Sequence, residues 1–106
     1  MRMSTSLAYP HIHTTPGQPA RLERIPRLRI SHLVAEYISY GWSPEEMCRQ
    51  HPGLTLSEAH SAMAYYFDHQ QEIDTELHAE IEQDEKDRKA HPDPPLIQRL
   101  RAQGRI

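Results

Sequence analysis

The chain has 106 residues, with 12 basic side chains against 15 acidic ones, eight histidines, nine prolines, four glycines and one cysteine. That is the length of one small domain with tails, and 37% hydrophobic against 25% charged residues excludes one deep core engaging the whole chain. Cys48 has no partner for an internal disulfide, and neither a long apolar span nor a signal-type apolar segment occurs. A soluble, cytoplasmic protein without membrane contact is therefore expected.

The net charge of −3 conceals a segregation. Residues 1–30 carry five arginines against Glu23, residues 31–90 carry four cations against thirteen acids, and residues 91–106 carry three arginines against Asp93. The ends are basic and the middle is acidic. Ten of the twelve cations are arginine, whose planar fork suits bidentate carboxylate or phosphate contacts.

Residues 1–20 hold three prolines and no sustained periodicity, which predicts an irregular N-terminal arm. Between 21 and 30, Leu28 and Ile30 alternate with Arg27 and Arg29, the pattern of a short strand that Pro26 confines to an edge or a turn. Ser31 is the expected cap of a first helix with Leu33, Val34, Tyr37 and Ile38 on one face, ended by Gly41. Ser43, Pro44 and Glu46 spell a capping box with proline at the first helical position, and Trp42 and Met47 occupy its staple positions. This second helix is short, because His51, Pro52 and Gly53 follow it. Thr55 and Glu58 spell a second box, flanked by Leu54 and Ala59.

No glycine or proline occurs between Leu54 and Pro92. Leu56, Ala59, Met63, Tyr66, Ile73, Leu77 and Ile81 step by three or four, with Gln70 in the gap, which predicts one long third helix. Its second half narrows to Ile73, Leu77 and Ile81 among acids, the pattern of a dimerisation seam. The expected fold is all-α: a three-helix helix-turn-helix core with a long third helix and a short N-terminal strand or hairpin. The expected boundaries are an arm over 1–20, the domain over 21–90 and a basic tail over 91–106.

A capped short helix, a tight turn and a longer capped helix follow the order of a helix-turn-helix module. The longer helix would then be the recognition helix, yet from Arg49 to Lys86 there is no intervening cation and there are nine acids. Phosphate contacts would thus fall to Arg21, Arg24, Arg27 and Arg29. His51, His60, His69 and His78 are nine residues apart, so neighbours on a helix face opposite ways and cannot share an ion; no metal or cofactor is expected. No phosphate loop, nucleophile elbow or zinc-protease motif is present, and Cys48 reads as a packed thiol, so no catalytic residue is assigned. Most aromatics fall on the core stripes, and Tyr65, roughly opposite the main one, is the aromatic expected to face a partner.

Gly41 with Ser43-Pro44-Glu45-Glu46, His51-Pro52, Leu54-Thr55-Leu56 and the run from Ala62 to Tyr66 resemble the small bacterial family known as domain of unknown function 433, over about residues 25–75. Upstream, Gly17-Gln18-Pro19 stands where that family carries G-K-P, and Ile25-Pro26-Arg27 replaces its G-T-R turn, keeping only the arginine. The resemblance implies a homeodomain-like or winged helix-turn-helix module and the antitoxin half of a toxin–antitoxin pair, often beside a PIN-like ribonuclease. On that reading the tail residues Leu96, Ile97, Arg99, Leu100, Arg101 and Arg105 fold against a toxin, with arginines competing for its metal-holding carboxylates. The alternatives are a dimeric DNA-binding regulator using the four N-terminal arginines, or a dimeric adaptor with no nucleic-acid role.

Overall fold

The computed structural model describes residues 9–87 and 94–105. Two short strands, β1 (Ile12–His13) and β2 (Arg21–Leu22), precede α1 (Ile30–Tyr40), α2 (Pro44–Gln50), α3 (Leu56–Asp68), α4 (Gln70–Asp87) and α5 (Pro95–Ala102). The chain is mostly helical, with one small antiparallel sheet pairing Ile12 with Leu22 and His13 with Arg21.

The helix punctuation works largely as the side-chain chemistry demands. Ser43 Oγ accepts from the Glu46 amide at the start of α2, with Pro44 at the first helical position. Thr55 Oγ1 accepts from the Glu58 amide, and the Glu58 carboxylate accepts from the Thr55 amide, so both halves of the second box are formed. Gly41 ends α1 at φ 71°, in the left-handed region, with its amide bonded to the Tyr37 carbonyl. Glu46 makes no return bond to Ser43; its carboxylate accepts from Arg49 and Gln50 instead.

Three local expectations change. The arm is not wholly irregular, since Ile12 and His13 pair with β2. The strand expected over 27–30 shrinks to one bridge between Arg29 and Arg21, because Ile30 already begins α1. The cap of α1 is Arg29 rather than Ser31, and it offers no side-chain cap bond. Ser31 is buried instead, and its hydroxyl donates to Glu80 Oε2 at 3.3 Å.

The larger correction concerns the long third helix, which is two helices. His69 sits between them at φ −129° and ψ 38°, and its Nδ1 lies 3.0 Å from the Tyr65 carbonyl, one of the acceptors at the end of α3. Its ring stacks on Tyr65 at 4.0 Å, and Tyr9 packs edge-on to both rings. Tyr9 also donates its hydroxyl to Asp68, the last residue of α3. The break is therefore made by tertiary contact and not by a helix-breaking residue.

The break turns the Ile73, Leu77 and Ile81 stripe back onto its own chain. These three residues are 0%, 1% and 8% exposed within the single chain, in one cluster with Leu33, Val34, Ile38, Ile97 and Leu100. They are core and not a dimerisation seam. The expected tail supplies the other half of this cover: α5 packs mainly on α1, and Ile97 and Leu100 are each 1% exposed. The part of the third-helix expectation beyond Asp87, and residues 1–8 of the arm, lie outside the described residues.

Candidate interaction site

The four N-terminal arginines do not form one open basic face. Arg24 Nε and Nη2 donate to Glu58 Oε2 and Oε1 at 3.0 and 2.7 Å, and Nη2 also donates to the Gly53 carbonyl. Glu58 is only 2% exposed, and the Arg24 guanidinium with the Thr55 amide and hydroxyl outweighs its burial and holds its carboxyl at about 2. Arg29 lies 3.6 Å from Glu80, and Arg21 donates to the Pro26 carbonyl at 3.1 Å. Arg27 is exposed. Arg24 and Arg29 thus tie the N-terminal segment to α3 and α4, and Arg21 is engaged within the segment itself.

At the other end the six tail residues divide by face. Ile97 and Leu100 are buried in the core and Leu96 is half-buried against it, so they are not free to anchor a partner. Arg105 reaches back to Asp74 and donates to the Tyr66 hydroxyl at 2.8 Å. Burial is the main force raising the Tyr66 hydroxyl, with Arg105 opposing it. Arg99 and Arg101 are exposed.

Arg99 opens onto a groove of about 280 Å³ between α1, α3 and α5. Tyr37, Tyr66 and Phe67 form its aromatic side, with Tyr37 edge-to-face on Phe67 at 6.1 Å and on Tyr66 at 6.5 Å. Phe67 is 56% exposed and Tyr37 36%, so both rings present apolar surface to solvent. Gln70 and Gln103 supply amides at its margins, and no carboxylate among the described residues lines it.

A second, larger cavity of about 530 Å³ lies between the Thr14–Pro19 loop and Tyr65, Glu72 and Glu76. Tyr65 is 5% exposed and donates to Glu72 Oε2 at 3.0 Å, so the aromatic expected to meet a partner is packed, while Tyr37, Tyr40 and Phe67 are open. Burial, then Glu72 and Glu80, raise the Glu76 carboxyl above the usual carboxylate range, and its Oε1 has no hydrogen-bond partner among the described residues.

Sequence reasoning assigned Tyr37 to the first helix's core face and grouped Phe67 with the packed aromatics. A signal was present for Phe67, which lies one residue, or about 100°, off the stripe at Tyr66. Nothing local placed α5 beside them. Among the described residues no helix is long and apolar enough to cross a membrane.

No curated protein and no solved structure matches the chain. The model of the family described as protein of unknown function DUF433 matches residues 12–66, from β1 through Tyr66, and the chain belongs to that family.

Proposed function

We propose that this protein is an antitoxin-like interaction protein that binds a PIN-like ribonuclease in the bacterial cytoplasm. The observation that supports it best is the open groove of Tyr37, Phe67 and Arg99, set against the internal engagement of Arg21, Arg24 and Arg29. Aromatic rings beside an exposed arginine are the composition of protein-binding hot spots. An arginine delivered among metal-holding carboxylates competes with the metal through charge-assisted bonds. In this reading α1, α2 and α3 form a helix-turn-helix-like core kept for shape rather than groove readout. Its would-be recognition helix, α3, carries Glu58 and Asp68 and no lysine or arginine.

Co-expression with the product of the adjacent reading frame tests this. The expected result is a co-purifying complex in which a PIN-like nuclease is inhibited, with inhibition weakened by Arg99→Glu. Failure to capture that product, together with a steeply salt-dependent gel shift of the protein's own promoter, would overturn the proposal in favour of a DNA-binding regulator.

A further inference from the structure

The groove's chemistry narrows what it can hold, and this step rests on the protein-binding reading above. Its aromatic side offers the exposed ring of Phe67 braced by Tyr37, a surface for one planar or branched apolar side chain. Space is open beside it, since a methyl group built on Gly41 would meet nothing within 4 Å. Arg105 is charge-balanced by Asp74, so the exposed Arg99 sets the sign of the groove and selects one carboxylate. The two amides discriminate further. Gln103 Oε1 accepts from Arg105 Nη1 at 3.2 Å, which leaves its NH₂ to donate, and Gln70 offers both a donor and an acceptor. Paired donors and acceptors match a peptide backbone, whereas the phosphate groups of a nucleic acid present acceptors only.

We propose that the groove is a docking site for a short extended acidic segment of a partner protein. An aromatic side chain of that segment rests on Phe67 and Tyr37, and a carboxylate beside it pairs with Arg99.

The test is fluorescence anisotropy of the full chain with a labelled hexapeptide Gly-Asp-Phe-Asp-Gly-Gly. The controls are the same peptide with lysine for both aspartates, the same peptide with serine for phenylalanine, and a labelled oligouridylate. Binding of the acidic aromatic peptide alone is expected, with Phe67→Ser and Arg99→Glu each weakening it about tenfold and Arg27→Glu leaving it within about twofold. Circular dichroism melting identifies any loss of fold in Phe67→Ser, and Arg99→Glu, on an exposed position, carries the test in that event. No binding at about 1 mM, equal binding of the lysine peptide, indifference to both variants, or tighter binding of the oligouridylate would each overturn the proposal. A complex with the adjacent gene product that survives both variants would overturn the groove assignment while leaving the interaction-protein reading standing.

Discussion

The two ends of the chain carry arginines in similar density and end in different situations. At the N-terminal end Arg24 meets a carboxylate that α3 has already buried, and the pair becomes part of the fold. At the C-terminal end Ile97 and Leu100 seat α5, while Arg99, about 200° around the helix from Ile97, is left on the outside. The same residue type is therefore a fastener in one place and a presented group in the other. What decides is the neighbour. An arginine opposite a buried carboxylate is held by the cost of leaving that carboxylate unpaired, whereas an arginine on the outer face of an apolar-anchored helix has no such tether.

The contrast can be broken most forcefully at the apolar anchor. Leu100→Ala removes a fully buried side chain and is expected to cost about 3 kcal/mol in chemical denaturation, loosening α5 first in hydrogen exchange. If α5 were a tail that orders only on a partner, this variant would leave the stability of the isolated chain unchanged. The N-terminal fastener is next. Glu58→Gln weakens the capping box and removes the charge facing Arg24, for an expected loss of about 2 kcal/mol, or roughly 10 °C in Tm. Arg24→Ala is expected to lose at least as much, because it leaves the buried Glu58 carboxylate without its cation.

Acid titration sharpens the same point. The Glu58 carboxyl titrates at about 2 in the fold against an ordinary 4.5, so its contribution is complete above pH 4.5 and is lost as pH falls from there toward 2. Melting temperatures measured down that range should fall more steeply for the native chain than for Glu58→Gln, and parallel curves would remove the pair as a stabilising device. Glu76 has the opposite sign. Its raised carboxyl makes the charged form a burden at neutral pH, so Glu76→Gln is expected to raise Tm by a few degrees at pH 7, with the gain shrinking in acid as the native carboxyl protonates. The smallest expected effect on stability is that of Arg99→Glu, within about 0.5 kcal/mol. A larger loss would mean that Arg99, like Arg105, also fastens the fold.

The parts of the fold legible in the sequence are those fixed by neighbours a few residues away. Ser43 with Pro44, Thr55 with Glu58, and Gly41 after α1 place the helix ends because capping is a local bond between a side chain and orphan amides, or a local need for positive φ. The break at His69 was not legible. Helix propensity and the apolar stripe both run straight through it, and the groups that open it include Tyr9, 59 residues away from Asp68. Reading the stripe as a partner seam followed from that omission, since a straight helix would carry Ile73, Leu77 and Ile81 away from the core. The site was legible in charge but not in place. Arg99 could be named from composition, whereas its position beside Phe67 depends on α5 folding back onto α1, which pairs residues some sixty positions apart and has no local signature.

Tyr9 and Pro10 touch α3 at Asp68 and Ser61, contacts that span 59 and 51 residues. During synthesis the N-terminal strap leaves the ribosome long before the residues it grips, so the bend at His69 is set only after α3 has emerged. A nascent chain halted within α4 would still hold the apolar stripe of Ile73 and Leu77 without the cover that α5 supplies. The strap at Tyr9 and Pro10 and the helix α5 thus each close the fold only after the helices they cover have emerged.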